Sequence, residues 1–250
     1  MTIETILSPL ELPVLAQRDL RGTACVIFDI LRATSTFVTA LHNGAKEIIP
    51  VSEISETVAF HKKQPDVLLA GERDGVKIRA AKSGGIDFDF GNSPREFTPE
   101  RVHGKTIVST TTNGTRALQA CANAKVVLAA SFLNLTTTAE SLHAEKEILL
   151  VCAGTGDNPA SEDIIAAGAL VELLASGKTT HVNKSANSLA ARTAYVQAML
   201  TNLEKSLGAS ENGSRLLAIP ELHGDVAFCA QRDVFNFVAR MDADGSLRRV

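Results

Sequence analysis

Short unbroken apolar runs recur along the chain, each followed by a small-polar turn and then a stretch of helical periodicity. The clearest is Ala24–Phe28, whose continuous apolar character predicts a strand buried on both faces. A helix is expected over about 35–42, ended by Asn43-Gly44, where glycine can take the left-handed conformation that closes a helix. Further strands are predicted over 47–51, 67–70, 105–109, 126–129 and 147–152. Helices are predicted over 53–63, stopped by Pro65, and over 114–122, 134–143 and 162–176, the last ended by Gly177. Residues 187–207 read as one long helix and 211–219 as a short one, while 226–229 and 235–239 read as weaker strands.

Between residues 71 and 99 the periodicity is lost, and Gly, Asp, Arg and Ser predominate. Irregular segments of this length are commonly functional or disordered. Within it, Ser93-Pro94-Arg95-Glu96 has the form of a capping box with Pro at the first helical position. Alternating strands and helices imply an α/β fold, a three-layer α/β/α arrangement around a largely parallel or mixed sheet. The chain reads as one domain over residues 1–250, with room for two similar lobes and the site between them. Three units share an outline of strand, polar turn and helix: 25–41, 107–118 and 149–174. Ligands in such sheets bind beyond the carboxyl ends of the strands, so chemistry is expected at these turns.

Composition narrows the class. The chain has 250 residues, 45% apolar and 21% charged, with only 4% aromatic residues and no Trp. An aliphatic core suits a buried parallel sheet better than a base-stacking surface. The net charge of −3, without any Lys/Arg block, argues against nucleic acid as a partner. No apolar run approaches the about 20 residues that span a bilayer. The first 12 residues carry Glu4 and Glu11 and no basic segment, unlike a signal peptide. Cys25, Cys121, Cys152 and Cys229 are dispersed, which disfavours zinc and suits a reduced cytoplasmic protein.

The first turn carries Asp29, Arg32, Thr34, Ser35 and Thr36 at an expected helix N-terminus. Free N–H groups and the helix dipole favour an anion there, and Arg32 offers a fork to its oxygens. The structural alternative is that a hydroxyl caps the helix and Asp29 binds nearby amides. The second turn is Thr110-Thr111-Thr112-Asn113-Gly114-Thr115, whose hydroxyls and amides could cradle phosphate oxygens or merely cap a helix. Arg116 falls in the first helical turn, where an anion would offset the unfavourable dipole. The third turn, from Cys152 through Gly154-Thr155-Gly156, lacks the third glycine of a dinucleotide fingerprint because Pro159 stands there. Glu162 and Asp163 follow it, as oxygen ligands for Mg²⁺ or as dipole complements. The irregular segment adds Glu72, Arg73, Asn92 and Ser93, and Asp87 and Asp89 as metal ligands or loop acids. Late in the chain, Asp225 could join a metal shell. The six histidines organise no site, and no Gly-x-Ser-x-Gly follows a strand.

These pieces in this order resemble the 2-phosphosulfolactate phosphatase family. The matching stretches are residues 27–36, Gly71-Glu72-Arg73, residues 90–94, residues 110–115, Cys152-Ala153-Gly154 with Glu162-Asp163, and Asp225 with Cys229-Ala230. The resemblance implies Mg²⁺-dependent hydrolysis of 2-phospho-3-sulfolactate to sulfolactate and phosphate, a reaction of coenzyme M synthesis. It departs at residues 77–86, which look longer than the family pattern, and at Ala239, where proline is expected. Such a multiply anionic substrate suits a site with arginines, helix N-termini and a divalent cation.

On this reading Asp29, Glu72, Glu162, Asp163 and Asp225 are candidate metal ligands. Arg73, Ser35, Thr36, Asn92, Ser93, Thr111, Thr112, Asn113, Gly114, Thr115 and Gly154 are candidates to hold the substrate. Asp29, Arg32 and Cys152 are catalytic candidates, with the nucleophile water, Asp29 or Cys152. The expected partner is a small phosphorylated sulfonate or carboxylate, with no nucleic acid or membrane; a homo-oligomer is compatible. The alternatives are a phosphatase for another small 2-phospho acid, a non-catalytic binder of anionic metabolites, a nucleotide-dependent oxidoreductase, disfavoured by the incomplete glycine turn, and a haloacid-dehalogenase-like enzyme. The last needs a second Asp where Leu31 stands.

Overall fold

A computed structural model describes residues 1–73, 75–176 and 182–250. Its first half comprises β1 (Thr2–Ile6), α1 (Leu12–Leu15), β2 (Ala24–Phe28), α2 (Ala33–His42), β3 (Glu47–Pro50), α3 (Ile54–Lys63), β4 (Leu68–Arg73), β5 (Val76–Lys77), α4 (Ala80–Ser83) and α5 (Pro99–Val102). Then come β6 (Thr106–Thr110), α6 (Gly114–Ala120), β7 (Val126–Ala130), α7 (Leu135–Ser141), β8 (Glu147–Cys152), α8 (Ser161–Ala175) and β9 (Asn183–Lys184). The chain closes with α9 (Ala186–Thr201), α10 (Leu203–Gly208), α11 (Glu211–Leu217), α12 (Gly224–Cys229), β10 (Ala239–Met241) and β11 (Leu247–Arg249).

Among the described residues the strands join into one mixed sheet of 11, ordered β5-β4-β6-β3-β11-β10-β7-β2-β8-β1-β9. It contains two parallel groups, β4-β6-β3 and β7-β2-β8-β1-β9. The hairpin β10–β11 sits between them and pairs antiparallel to both β7 and β3. All five residues of β2 are buried, as expected for an inner parallel strand.

Alternation along the strands sorts side chains onto two faces. Val26, Phe28, Leu128, Ile148 and Leu150 pack with α7, α8, α9 and α12. Cys25, Ile27, Ile48, Ile107, Val127 and Leu149 pack with α2 and α6 on the other face. A third cluster, Leu69, Val108 and Phe88, lies against α3. Helices therefore cover both faces, the three-layer α/β/α arrangement expected from the alternating pattern. Helix α2 touches β3, β7, β10 and β11, so it spans the junction between the two parallel groups.

Four segments differ from the sequence reading. Residues 226–229 form helix, not strand: Val226 and Cys229 are buried three apart while Ala227 is exposed. A run this short carries too little periodicity to separate the two. Within 235–239 only Ala239 enters the ladder, which continues to Met241. The expected long helix breaks at Asn202, which is extended (φ 177°) and whose side chain caps α10 by accepting from Lys205 N. Strand β1 went unanticipated because Glu4 and two threonines mask its buried Ile3 and Ile6. The proposed helix stop at Gly177 lies outside the described residues. No helix among the described residues is long and apolar enough to cross a membrane.

Helices α8 and α9 meet closely at Gly168, where an added Cβ would lie 2.0 Å from the Ala191 carbonyl oxygen. That neighbour is backbone and cannot turn aside. Gly168→Ala should lower Tm by roughly 5 °C or more in a thermal melt; a shift under about 1 °C would show that the helices separate freely.

Candidate active site

The turn after β2 folds through its own side chains. Asp29 Oδ1 accepts from Ala33 N at 2.9 Å, which starts α2. Thr34 Oγ1 accepts from Asp29 N and donates to Asp29 O, both at 3.0 Å. Ser35 donates to Ile30 O at 2.9 Å, and Thr36 to Asn92 O at 2.7 Å. Ser35 and Thr36 thus fasten backbone rather than face open space. The peptide joining Leu31 to Arg32 is cis.

Arg32 is only 3% exposed and pairs with the fully buried Asp225 through Nη1 at 2.7 Å. Its Nη2 donates to Gly75 O at 2.8 Å. Asp225 also accepts from Ser93 Oγ at 2.7 Å and lies 3.5 Å from Arg95 Nη1. Asp225 therefore anchors Arg32 and Ser93 from beneath and is not among the cavity walls. Ser93, expected to cap a helix, gives its hydroxyl to Asp225; the short turn Pro94–Glu96 forms as a 3-10 helix without that cap.

Glu72, at the end of β4, takes the backbone N and the hydroxyl of Thr112 on Oε1, each at 3.0 Å, and Gly75 N on Oε2 at 2.8 Å. Arg73 points elsewhere: its guanidinium donates to Glu72 O at 2.7 Å, Ser52 O at 3.2 Å and Thr110 Oγ1 at 3.0 Å, bracing the ends of β3, β4 and β6. In the turn before α6, Thr111 and Thr115 bond to each other's backbone. Asn113 reaches across to the third turn, donating to Ala153 O at 2.8 Å and Gly156 O at 2.9 Å. Its Oδ1 is buried without a partner among the described residues. Gly114 makes room for the central acid, since a Cβ there would stand 2.6 Å from Asp29 Oδ2.

The turn after β8 is locked by Asp163, which accepts from Ile30 N at 2.8 Å and Gly154 N at 3.0 Å. Glu162 accepts from Asn212 Nδ2 at 2.7 Å, and Asn212 also bonds Thr155 Oγ1 at 2.6 Å. Asp87 and Asp89 accept from the Ala80 and Leu69 amides, as loop anchors. Cys152 does not reach the site. It is fully buried in the core, and burial, with Asp163 and Glu162 nearby, pushes its thiol well above the ordinary range. A thiol in that state cannot serve as a ready thiolate.

What these turns enclose is a cavity of about 330 Å³. Its walls include Asp29 and Arg32 from the first turn, Thr112 and Asn113 from the second, and Gly154 from the third. Glu72, Gly75 and Asn92 close another side. Helix α11 supplies Glu211, Asn212, Arg215 and Leu216, none of which the sequence singled out. The sequence reading has these positions only as part of a short helix over 211–219. Arg116 is exposed and outside these walls.

The 2-phosphosulpholactate phosphatase family model matches residues 11–244. This chain belongs to that family. It is 40% identical over 213 residues to a probable 2-phosphosulfolactate phosphatase of Thermotoga maritima, covering 85% of this chain and 86% of that protein. A protein of the same description from Caldanaerobacter subterraneus is 46% identical over 162 residues, 64% of each chain. One from Clostridium perfringens is 34% identical over 253 residues, 95% of this chain and 92% of that protein.

In this member of the family, Asp29 is a cavity-lining carboxyl group that is only half satisfied. Among the described residues only its Oδ1 has a protein donor, while Oδ2 lies beside Gly114. Burial pushes its titration up to about 7, opposed by the Ala33 amide and Arg32 and reinforced by Glu72 and Glu162. Burial raises Glu162 and Asp163 as well, and for Asp163 the charges of Glu162 and Asp29 add to it.

Between pH 3.8 and about 7 the folded chain keeps a proton on Asp29 that the unfolded chain has lost. Stability contributed by this group therefore falls as pH rises through that window. Without added divalent cation, Asp29→Asn should raise Tm by about 3 °C or more at pH 8 and by less than about 1 °C at pH 4. An equal shift at both pH values would contradict the assignment.

Proposed function

We propose that the chain is a magnesium-dependent phosphatase that hydrolyses 2-phospho-3-sulfolactate to 3-sulfolactate and inorganic phosphate. The observation that carries this reading is Asp29, whose Oδ2 has no protein donor among the described residues and which lines a cavity together with Arg32. Family membership supports the substrate.

Among the described residues no three His, Cys, Asp or Glu side chains converge as a metal cage. Mg²⁺ needs none, because it takes one or two carboxylates and completes its shell with water and substrate oxygens. Asp29 and Glu72 fit this demand: both line the cavity, and Glu72 raises the titration of Asp29, a conflict that a cation relieves. These two residues would hold the ion. Glu162, Asp163 and Asp225 are not among the cavity walls. When bound, Mg²⁺ would supply charge neutralisation at the phosphoryl oxygens.

The chain's own groups account for the rest of the reading. Arg32, held by Asp225 and Gly75, offers its guanidinium as a fixed, buried positive charge that acts more strongly than one in water. Leu31 and Leu216 form apolar wall that limits water. Hydrolysis breaks the bond between phosphorus and the C2 oxygen and joins a water oxygen to phosphorus. The attacking group is that water or, in a two-step route, the Asp29 carboxylate. A place in sulfolactate formation of the coenzyme M type and a cytoplasmic location belong to the same proposal.

The test is phosphate release from 2-phosphosulfolactate, 2-phospholactate and phosphoglycolate, with Mg²⁺ and with a chelator. The expected result is fastest release from phosphosulfolactate, falling to about 1% or less with chelator and restored by Mg²⁺. Release that ignores the chelator would remove the metal, and no release from any of the three would remove the phosphatase reading.

A further inference from the structure

Two cationic side chains line the cavity, Arg32 and Arg215, and they flank Gly75. Arg32 bonds the Gly75 carbonyl, while the Arg215 stem passes 3.8 Å from where a Cβ on Gly75 would stand. Their commitments differ. Arg32 is buried and paired with Asp225. The Arg215 side chain is 41% exposed, and its only polar partner among the described residues is Glu211, one turn away at 3.0 Å. An exposed pair of this kind holds weakly and yields readily to another anion. The other nearby arginines are not available. Arg73 is spent on carbonyls, and Arg95 is directed at Asp225 and the Glu221 carbonyl.

The helix that carries Arg215 is held rigidly. A Cβ on Gly213 would lie 2.0 Å from Leu207 O, so α11 sits tightly on the end of α10. Asn212, on the same helix, is bonded to Thr155 and Glu162 at the site itself. Arg215 is thus a half-exposed cation on a tightly packed helix at the cavity wall.

We propose that Arg215 is the specificity-determining residue that binds the anionic group on the third carbon of the substrate, the sulfonate, by exchanging Glu211 for it. This rests on the phosphatase reading above. Arg32 and the Asp29 turn serve the phosphoryl end, and Arg215 selects for an arm that a plain 2-phospho acid lacks. The fork of a guanidinium matches two sulfonate oxygens, whereas a Lys ammonium supplies charge alone.

The test compares wild type, Arg215→Ala and Arg215→Lys on 2-phosphosulfolactate and on 2-phospholactate, which lacks the sulfonate. The readout is the ratio of the two kcat/KM values. In the alanine variant the ratio should fall about tenfold or more, with the loss mainly in KM for the sulfonated substrate, and the lysine variant should keep an intermediate ratio. A ratio held within about twofold, or equal losses on both substrates, overturns the role of Arg215 while leaving the phosphatase standing. A wild-type protein that releases phosphate from neither overturns the parent reading and this one with it.

Discussion

Five carboxyl groups, from Asp29, Glu72, Glu162, Asp163 and Asp225, are drawn towards one end of this sheet, and all but Asp29 are at most 8% exposed. Removing carboxylates from water is costly unless each finds hydrogen bonds or a partner charge. Most of the local architecture answers that demand. Asp163 takes two amides, from Ile30 and Gly154, and so ties the turn after β2 to the turn after β8. Glu72 takes Thr112 and Gly75, tying the end of β4 to the start of α6. Asp225 takes Arg32 and Ser93, joining the late helix α12 to the first turn and the irregular segment. Each satisfied acid is therefore a crosslink between chain segments far apart in sequence. Asp29, which lines the cavity, has no donor on Oδ2 among the described residues.

The sheet makes this convergence possible. Its two parallel groups are joined through the antiparallel hairpin β10–β11, and α2 packs across that junction. Turns from both groups consequently meet, as Asn113 from one group reaching Ala153 and Gly156 in the other demonstrates. Close packing extends to where the turns meet. Gly114 leaves space for Asp29, and a Cβ on Gly154, whose φ is +74°, would press on Pro9 and the Asn158 carbonyl.

Much of this was legible in the sequence, and the exceptions have physical causes. The inner strands announce themselves because burial on both faces demands unbroken apolar runs, as in Ala24–Phe28. The three polar turns are visible because small residues and hydroxyls interrupt those runs. The use of each side chain is not visible. Ser35, Thr36, Thr111 and Thr115 look like anion ligands, yet their hydroxyls satisfy nearby backbone. Arg73 looks like a substrate contact but holds strand ends together. Asp225 looks like a metal ligand and is instead the buried counter-charge of Arg32, a pairing across 193 positions that no local pattern encodes. Helix α11 is hidden for the opposite reason: Glu211 and Arg215, four apart, form an ordinary exposed pair until the fold brings them to the cavity.

The central claim is that the chemistry rests on the half-satisfied carboxylate at the cavity wall, Asp29, and not on the nearby thiol Cys152. Turnover of phosphosulfolactate by Asp29→Asn and Cys152→Ser, measured side by side with protein shown to be folded, tests it directly. The account predicts a loss of about hundredfold or more in kcat for the asparagine variant and a change within about fivefold for the serine variant. The reverse pattern would contradict it.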